Sequence, residues 1–401
     1  MSGTVRPRLL FLSACTGILV FGIVLAILGT VFGLPAVRQR LQISLAEQGT
    51  LFLLLYFGIF VASLSVGPLI DHVGNRWNLL ASSLIVAMAM VLFAGAHSFV
   101  SAGFAAVLLG LGGGGLNTCT NVLVSDLYAA QRGPMLNLLG MFFGVGALSV
   151  PLVAASIEGR FTIAQLFLFC AVLAGGCALW YAAISVPPAR VKQAFSWGEL
   201  LEVARYSGVL LLGFILFLES GNEACIGGWT STYVNGAGYS PRVATLVLAS
   251  YWGALMVSRM LAARVLRRMT KAQLVVSAAA LSLAGCAVLL SARSLTLLFA
   301  GTALIGLSYG PIFPTTLAIA GDRYSQRAGT VFGLLFSIAL IGGMLLPLSV
   351  GQVSQRVSVH AGMIVPALGA VGIVMLSVAA LLGERKAVTV SSAGQKSGGI
   401  S

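Results

Sequence analysis

Apolar residues run along this chain in long blocks, and the short stretches between them hold most of the charge. A helix needs about 20 apolar residues to cross the hydrocarbon core of a bilayer. Twelve blocks reach that length: 9–35, 47–70, 77–97, 99–126, 134–157, 163–186, 206–235, 241–266, 272–292, 295–320, 327–350 and 359–382. The pattern predicts an all-α integral membrane protein with twelve transmembrane helices. The longest polar stretch between blocks runs from Pro187 to Arg205, with six blocks on either side. It divides the chain into a six-helix bundle over 1–186, a cytoplasmic linker over 187–205 and a second six-helix bundle over 206–383. Segment 196–205 is expected to form a short interfacial helix, and the Ser- and Gly-rich stretch 384–401 a disordered cytoplasmic tail.

Composition agrees with a lipid environment. Of 401 residues, 58% are hydrophobic and 8% charged, against about a quarter charged in a soluble domain. The net charge of +13 would suggest nucleic acid on a soluble protein. Here the basic residues cap apolar runs and read as topology signals, so no nucleic-acid partner is expected. With the N-terminus in the cytoplasm, 17 of the 23 basic residues fall inside and six outside (Arg38, Arg40, Arg160, Arg242, Arg293 and Arg356). That bias predicts that both termini are cytoplasmic. The first block is longer than the core of a signal peptide, about 7–15 residues, and is read as a retained helix. Short loops without a targeting extension are those expected in a bacterial inner membrane. One chain can hold a whole transport pathway, so a monomer is expected. Cys15, Cys119, Cys170, Cys177, Cys225 and Cys286 lie inside apolar runs with no CxxC pair, as buried small hydrophobes rather than metal ligands or disulfides.

The second block ends Gly67-Pro68-Leu69-Ile70-Asp71-His72-Val73-Gly74-Asn75-Arg76. This resembles the G-x-L-x-D-x-x-G-[RN]-[RK] motif that the major facilitator superfamily carries between helices 2 and 3. Glycines there permit a tight turn, and Asp71 can sit at a helix N-terminus where the dipole favours negative charge. Gly67, Asp71, Gly74 and Arg76 are therefore candidates for an inner gate latch, the alternative being a solvated loop that sets topology. Further segments resemble the fucose:proton symporter family within that superfamily. They are Tyr56-Phe57-Gly58, Leu116-Asn117-Thr118 with Asn121, Leu136-Asn137, Phe143-Gly144-Val145-Gly146-Ala147, Glu223 with Gly227-Gly228-Trp229, and Gly310-Pro311-Ile312-Phe313-Pro314-Thr315. The resemblance implies the major facilitator fold of two six-helix bundles. It also implies import of a sugar or similar polyhydroxy solute driven by a proton or sodium gradient. The chain departs from that family where it commonly has acids in helices 1 and 4. It reads Ala26-Ile27-Leu28-Gly29-Thr30-Val31 and Asn117 there, so those proton carriers do not transfer.

Charges deep in a membrane are costly and mark function. Glu219 and Glu223 lie four apart on one face of the seventh helix, and Glu219 falls about 20 Å along it. Two carboxylates in a poorly solvated site resist joint ionisation and can hold one proton between them; alternatively they attract a sodium ion. The competing reading has one glutamate bonded to a neighbouring helix and the other in water. Recognition of hydroxyls needs convergent amides and an apolar platform. Asn117, Asn121, Asn137 and Asn222, with Glu223, are the candidate polar groups, and Trp229, Tyr233, Tyr251, Trp252 and Tyr309 the candidate platforms. Intramembrane amides also serve as interhelical glue, and aromatic rings as interfacial belts. Pro151, Pro311, Pro314 and Pro347 mark hinges or fixed bends. Gly110-Leu111-Gly112-Gly113-Gly114-Gly115 satisfies GxGxxG but follows no strand, and fits close helix packing better than a nucleotide. No nucleophile–base set, metal spacing or Walker motif appears, so neither an enzyme nor a cofactor is expected. The leading reading is a cation-coupled carrier of a sugar-like solute; an exporter of amphipathic compounds, a uniporter and a membrane sensor are the alternatives.

Overall fold

The computed structural model describes residues 7–157, 162–187 and 197–397. Arg6, Arg160, Arg190, Lys192, linker residues 188–196 and tail residues 398–401 lie outside them. Twelve helices are long and apolar enough to cross a membrane among the described residues. They are α1 Pro7–Phe32, α2 Leu45–Val73, α3 Asn75–Gly95, α4 Phe99–Leu127, α5 Arg132–Ile157 and α6 Ile163–Ala183. The second six are α7 Ser207–Gly236, α8 Pro241–Val265, α9 Lys271–Leu290, α10 Leu295–Arg323, α11 Ala328–Arg356 and α12 Ile364–Ser397. A helix of 29 residues such as α2 is about 43 Å long, enough to span while tilted. The described residues contain no strand. The linker helix covers Trp197–Val203. The backbone of α12 runs as helix to Ser397, past Glu384, where the pattern predicts a disordered tail. No proline interrupts its hydrogen bonding between Glu384 and Ser397.

Boundaries follow local chemistry. α1 stops short of its predicted end because Leu34 precedes Pro35 and is extended (φ −93°, ψ 113°), the conformation a following proline imposes. Pro35 then opens the short helix Pro35–Leu41. Ser44, Ser98 and Thr162 cap α2, α4 and α6 by accepting from backbone N–H groups three residues on. Ser240, Ser294 and Ser358 cap α8, α10 and the turn before α12 in the same way. The separation 240 − 44 = 196 recurs in all three pairs, and again between Pro151 in α5 and Pro347 in α11. The two halves are thus one helical plan used twice. The plan extends to packing: α2 lies on α4 as α8 lies on α10, and α1 on α5 as α7 on α11. The glycine run in α4 has the packing role: a Cβ on Gly110 would stand 2.0 Å from the Leu55 carbonyl of α2. Only glycine lets the two backbones approach so closely. At the equivalent Gly306 of α10 a Cβ would stand 2.4 Å from the Tyr251 carbonyl of α8.

The halves meet along three seams, α2 with α11, α5 with α8, and α1 with α7. We call the end of the bundle where α1 begins the terminal face, and the other the opposite face. Three hydrogen bonds join the halves among the described residues, all toward the opposite face. Gln48 Nε2 donates to Thr232 Oγ1 (3.0 Å), Thr232 Oγ1 to the Phe32 carbonyl (3.3 Å), and Leu45 N to Gln355 Oε1 (3.0 Å). Phe52 stands between Phe32 (5.7 Å between ring centroids) and Trp229 (6.0 Å), plugging that end. A Cβ on Gly29 would lie 1.9 Å from the Gly227 carbonyl, so α1 and α7 touch backbone to backbone there. Toward the terminal face the last turns of α2 and the first turn of α5 are largely exposed. All six cysteines are free and buried.

Candidate functional site

Glu219 and Glu223 straddle the middle of α7, one turn apart. Glu219 is fully buried, and neither of its carboxylate oxygens has a hydrogen-bond partner. Glu223 is 15% exposed, and its Oε2 lies 3.7 Å from Nη2 of Arg259 on α8, which is 28% exposed. The Arg259 guanidinium carbon stands 5.3 Å above the Phe143 ring of α5. Arg259 therefore touches both halves: an ion pair with its own and a cation–π contact with the other.

The predicted polar groups divide. Asn117 and Asn121 are half-buried on α4, and Asn121 Nδ2 donates to the Asn117 carbonyl (2.8 Å) and to Asn117 Oδ1 (3.0 Å). The pair follows Gly110 and Gly114, which face α2, at helical spacing. Asn137 is exposed, seven residues before Gly144, on the stripe of α5 that meets Met256 of α8. Asn222 is fully buried and ties three helices together: Nδ2 donates to Tyr309 Oη (3.0 Å) and to the Pro366 carbonyl (2.9 Å). That is the interhelical glue left open by the sequence.

The aromatic candidates are all inside the protein. Trp229, Tyr251 and Tyr309 are fully buried, Trp252 is 2% exposed and Tyr233 6%. Trp229 belongs to the opposite-face plug. Tyr251 meets Trp252 edge-on (5.0 Å), and Trp252 meets Phe143 across the halves (6.2 Å). Tyr309 receives Asn222, and Tyr233 Oη donates to the Leu289 carbonyl (3.2 Å). The ring that borders the exposed guanidinium is Phe143.

The terminal-face motif is built as a helix joint. Gly74 ends α2 and starts α3 at φ 90°, ψ 154°, a region L side chains avoid. Arg76 Nε donates to the Tyr181 carbonyl (3.2 Å), and Nη2 to the Ala182 carbonyl, so its charge sits on the C-terminal end of α6. Asp71 is exposed with no ion pair among the described residues, and nothing stands within 4 Å of a Cβ on Gly67. Nearby the linker helix docks on the second half. Glu202 Oε1 lies 2.6 Å from Arg327 Nη1 and accepts from Tyr206 Oη (2.9 Å). The hydrogen bond from Arg327, then that from Tyr206, holds the Glu202 carboxyl below the usual carboxylate range.

Arg259 is the residue that sequence reading misses. It reads as one more basic residue at the inner end of a predicted span. Its signal is its position inside 241–266, where an intramembrane charge needs a partner. Among the described residues no group of three His, Cys, Asp or Glu is arranged to hold a metal ion.

Comparison with known proteins bears on this arrangement. The sequence model of the Major Facilitator Superfamily matches residues 14–347. A glucose/galactose transporter from Brucella abortus biovar 1 (strain 9-941) is 22% identical over 363 residues, covering 83% of this chain and 85% of that protein. The purine ribonucleoside efflux pump NepI of Salmonella paratyphi B (strain ATCC BAA-1250 / SPB7) is 24% identical over 353 residues, covering 78% and 85%. A crystal structure of the nucleoside transporter NupG superposes with a TM-score of 0.73 at 12% identity, covering 94% of this chain and 98% of that one.

Proposed function

The chain belongs to the major facilitator superfamily, and from that premise we propose that it is a secondary active transporter moving a sugar-like small solute by alternating access. One observation carries the reading: an unpartnered carboxyl (Glu219) and an ion pair (Glu223–Arg259) lie at mid-membrane depth, against the seam between two matching halves. Rocking of one half against the other about such a site is the expected cycle of this architecture. The contacts that join the halves at the opposite face support a cycle in which this conformation is closed there and the site is reached from the terminal face.

The positive-inside bias supports placing that face, with both termini, in the cytoplasm, in a bacterial inner membrane and as a monomer. Glu219 and Glu223 are the ion-coupling residues, with a proton or sodium as the ion. Burying an ionised carboxylate without solvent or donor costs several kcal/mol or more, which supports Glu219 as a group that exchanges a proton or a cation when the cycle changes its surroundings. Asn117, Asn121 and Asn137 supply the hydroxyl-binding amides, and Gly67, Asp71, Gly74 and Arg76 form the hinge at the terminal-face gate. The names of the Brucella relative and of the purine ribonucleoside efflux pump support a solute containing a sugar. The scattered motif matches support the fucose:proton symporter family in particular. A second reading, export, is supported by the efflux pump among the relatives and by the absence of acids from the deep part of α1.

The test uses purified protein in sealed vesicles: counterflow of labelled hexoses, then uptake under proton and sodium gradients imposed separately, for wild type and for Glu219→Gln and Glu223→Gln. Accumulation by wild type, with bare exchange by a variant, supports coupled import. Extrusion against a gradient, without uptake, supports export. Failure to move any solute of this class removes the reading.

A further inference from the structure

Arg259 offers more than Glu223 takes. A guanidinium carries five N–H donors in a planar fork that matches a carboxylate with two parallel hydrogen bonds. In this site the fork is nearly empty. Its one charge partner stands at 3.7 Å, beyond hydrogen-bond length. Its Nε is buried without any partner. Its carbon lies 5.3 Å from the centre of the Phe143 ring, a cation–π contact that takes up none of its N–H donors. The side chain is nevertheless 28% exposed.

A cation at this depth is costly to keep. A site for a wholly neutral solute has no need of one, since amides and hydroxyls satisfy a polyol at far lower desolvation cost. The N-terminal half supplies such neutral groups in the half-buried pair Asn117 and Asn121 of α4. The second half supplies a planar cation with an unfilled fork. Taken together these ask for a solute with hydroxyls at one end and a planar anion at the other.

Resting on the transporter reading above, we propose that the solute is a polyhydroxy carboxylate, of the sugar-acid class, and that Arg259 is the residue that recognises its carboxylate. Glu223 is the internal stand-in: it neutralises Arg259 in the empty site and gives way when the solute's carboxylate takes the fork. Arg259 discriminates by geometry as well as charge, because lysine presents a point charge in place of a fork.

The probes are labelled D-glucuronate, D-gluconate and D-glucose, and the readout is counterflow by full-length protein in proteoliposomes, with half-saturating concentrations. The expected result is preference for one or both acids over glucose by roughly tenfold or more. Arg259→Lys should lose most of that preference. Removing Arg259 alone leaves Glu223 unpaired, so the decisive variant is Arg259→Gln/Glu223→Gln, which keeps the site neutral. It should exchange acids no better than glucose while remaining monodisperse on gel filtration. Exchange of glucose as good as that of the acids by wild type overturns the proposal and leaves the transporter reading standing. Acid preference retained by the double variant overturns Arg259 as its source. Exchange of none of the three probes overturns both.

Discussion

The two halves use one scaffold for two chemistries. In each, a glycine of the fourth helix lies against a carbonyl of the second, Gly110 on Leu55 and Gly306 on Tyr251. In each, a proline sits within the fifth helix, Pro151 and Pro347. At the site they part. The N-terminal half offers a self-bonded amide pair, Asn117 and Asn121, and the face of Phe143. The C-terminal half holds Glu219, Glu223 and Arg259. Shared packing gives the halves one scaffold, while unshared polar residues give them different chemistry at the site, with the ionic groups on one side of the seam only.

The largest expected effect tests whether the charged half drives transport. Glu219→Gln keeps the shape and removes the ionisable group. Solute inside vesicles should then rise only to the external concentration, with counterflow preserved; accumulation unchanged from wild type would assign the coupling elsewhere. Next comes the seam where α1 and α7 touch. Gly29→Leu puts side-chain atoms where a Cβ already stands 1.9 Å from the Gly227 carbonyl. Overpacking of this kind costs about 1–3 kcal/mol. Turnover should fall by about tenfold, and a cysteine introduced near Gln48 should label faster as the opposite face loosens. The neutral half should matter less: Asn117→Ala or Asn121→Ala removes hydrogen bonds worth about 1 kcal/mol each, so half-saturation should rise several-fold with turnover nearly constant. Equal losses of turnover would move the asparagines from binding into the conformational step.

The smallest effect lies outside the membrane. The Glu202 carboxyl is depressed by Arg327 and Tyr206, so the linker helix stays docked above the ordinary carboxylate range. The contact is lost as pH falls through that depressed value. Proteolysis of the linker should accelerate in that acidic window for wild type, whereas Glu202→Gln should show the faster cleavage at every pH.

Much of this architecture was legible from residue order alone. Block length sets the spans, because a bilayer demands about 20 apolar residues whatever their identity. Glu219 and Glu223 stood out for the same reason. Two things were hidden. Burial of Trp229, Tyr251, Trp252 and Tyr309 has no signature, since aromatic residues at interfaces and in cores look alike in sequence. Arg259 was masked by Arg264, Arg267 and Arg268 just beyond it, which make the end of α8 look like an ordinary cytoplasmic boundary. Asn222 was named for its neighbourhood with two acids; its Nδ2 is engaged by Tyr309 and Pro366, while its Oδ1 is buried without a hydrogen-bond partner, a division that residue order does not reveal.

The burial of all six native thiols has a practical outcome for anyone handling this protein. A charged, membrane-impermeant maleimide reacts with exposed thiolates and finds none in the native chain. One cysteine placed at an exposed terminal-face position such as Asp71 or Gln131 would give a signal against a silent background. Labelling of intact cells against broken ones would then read which side of the membrane that face occupies, with no need to strip the natural cysteines first.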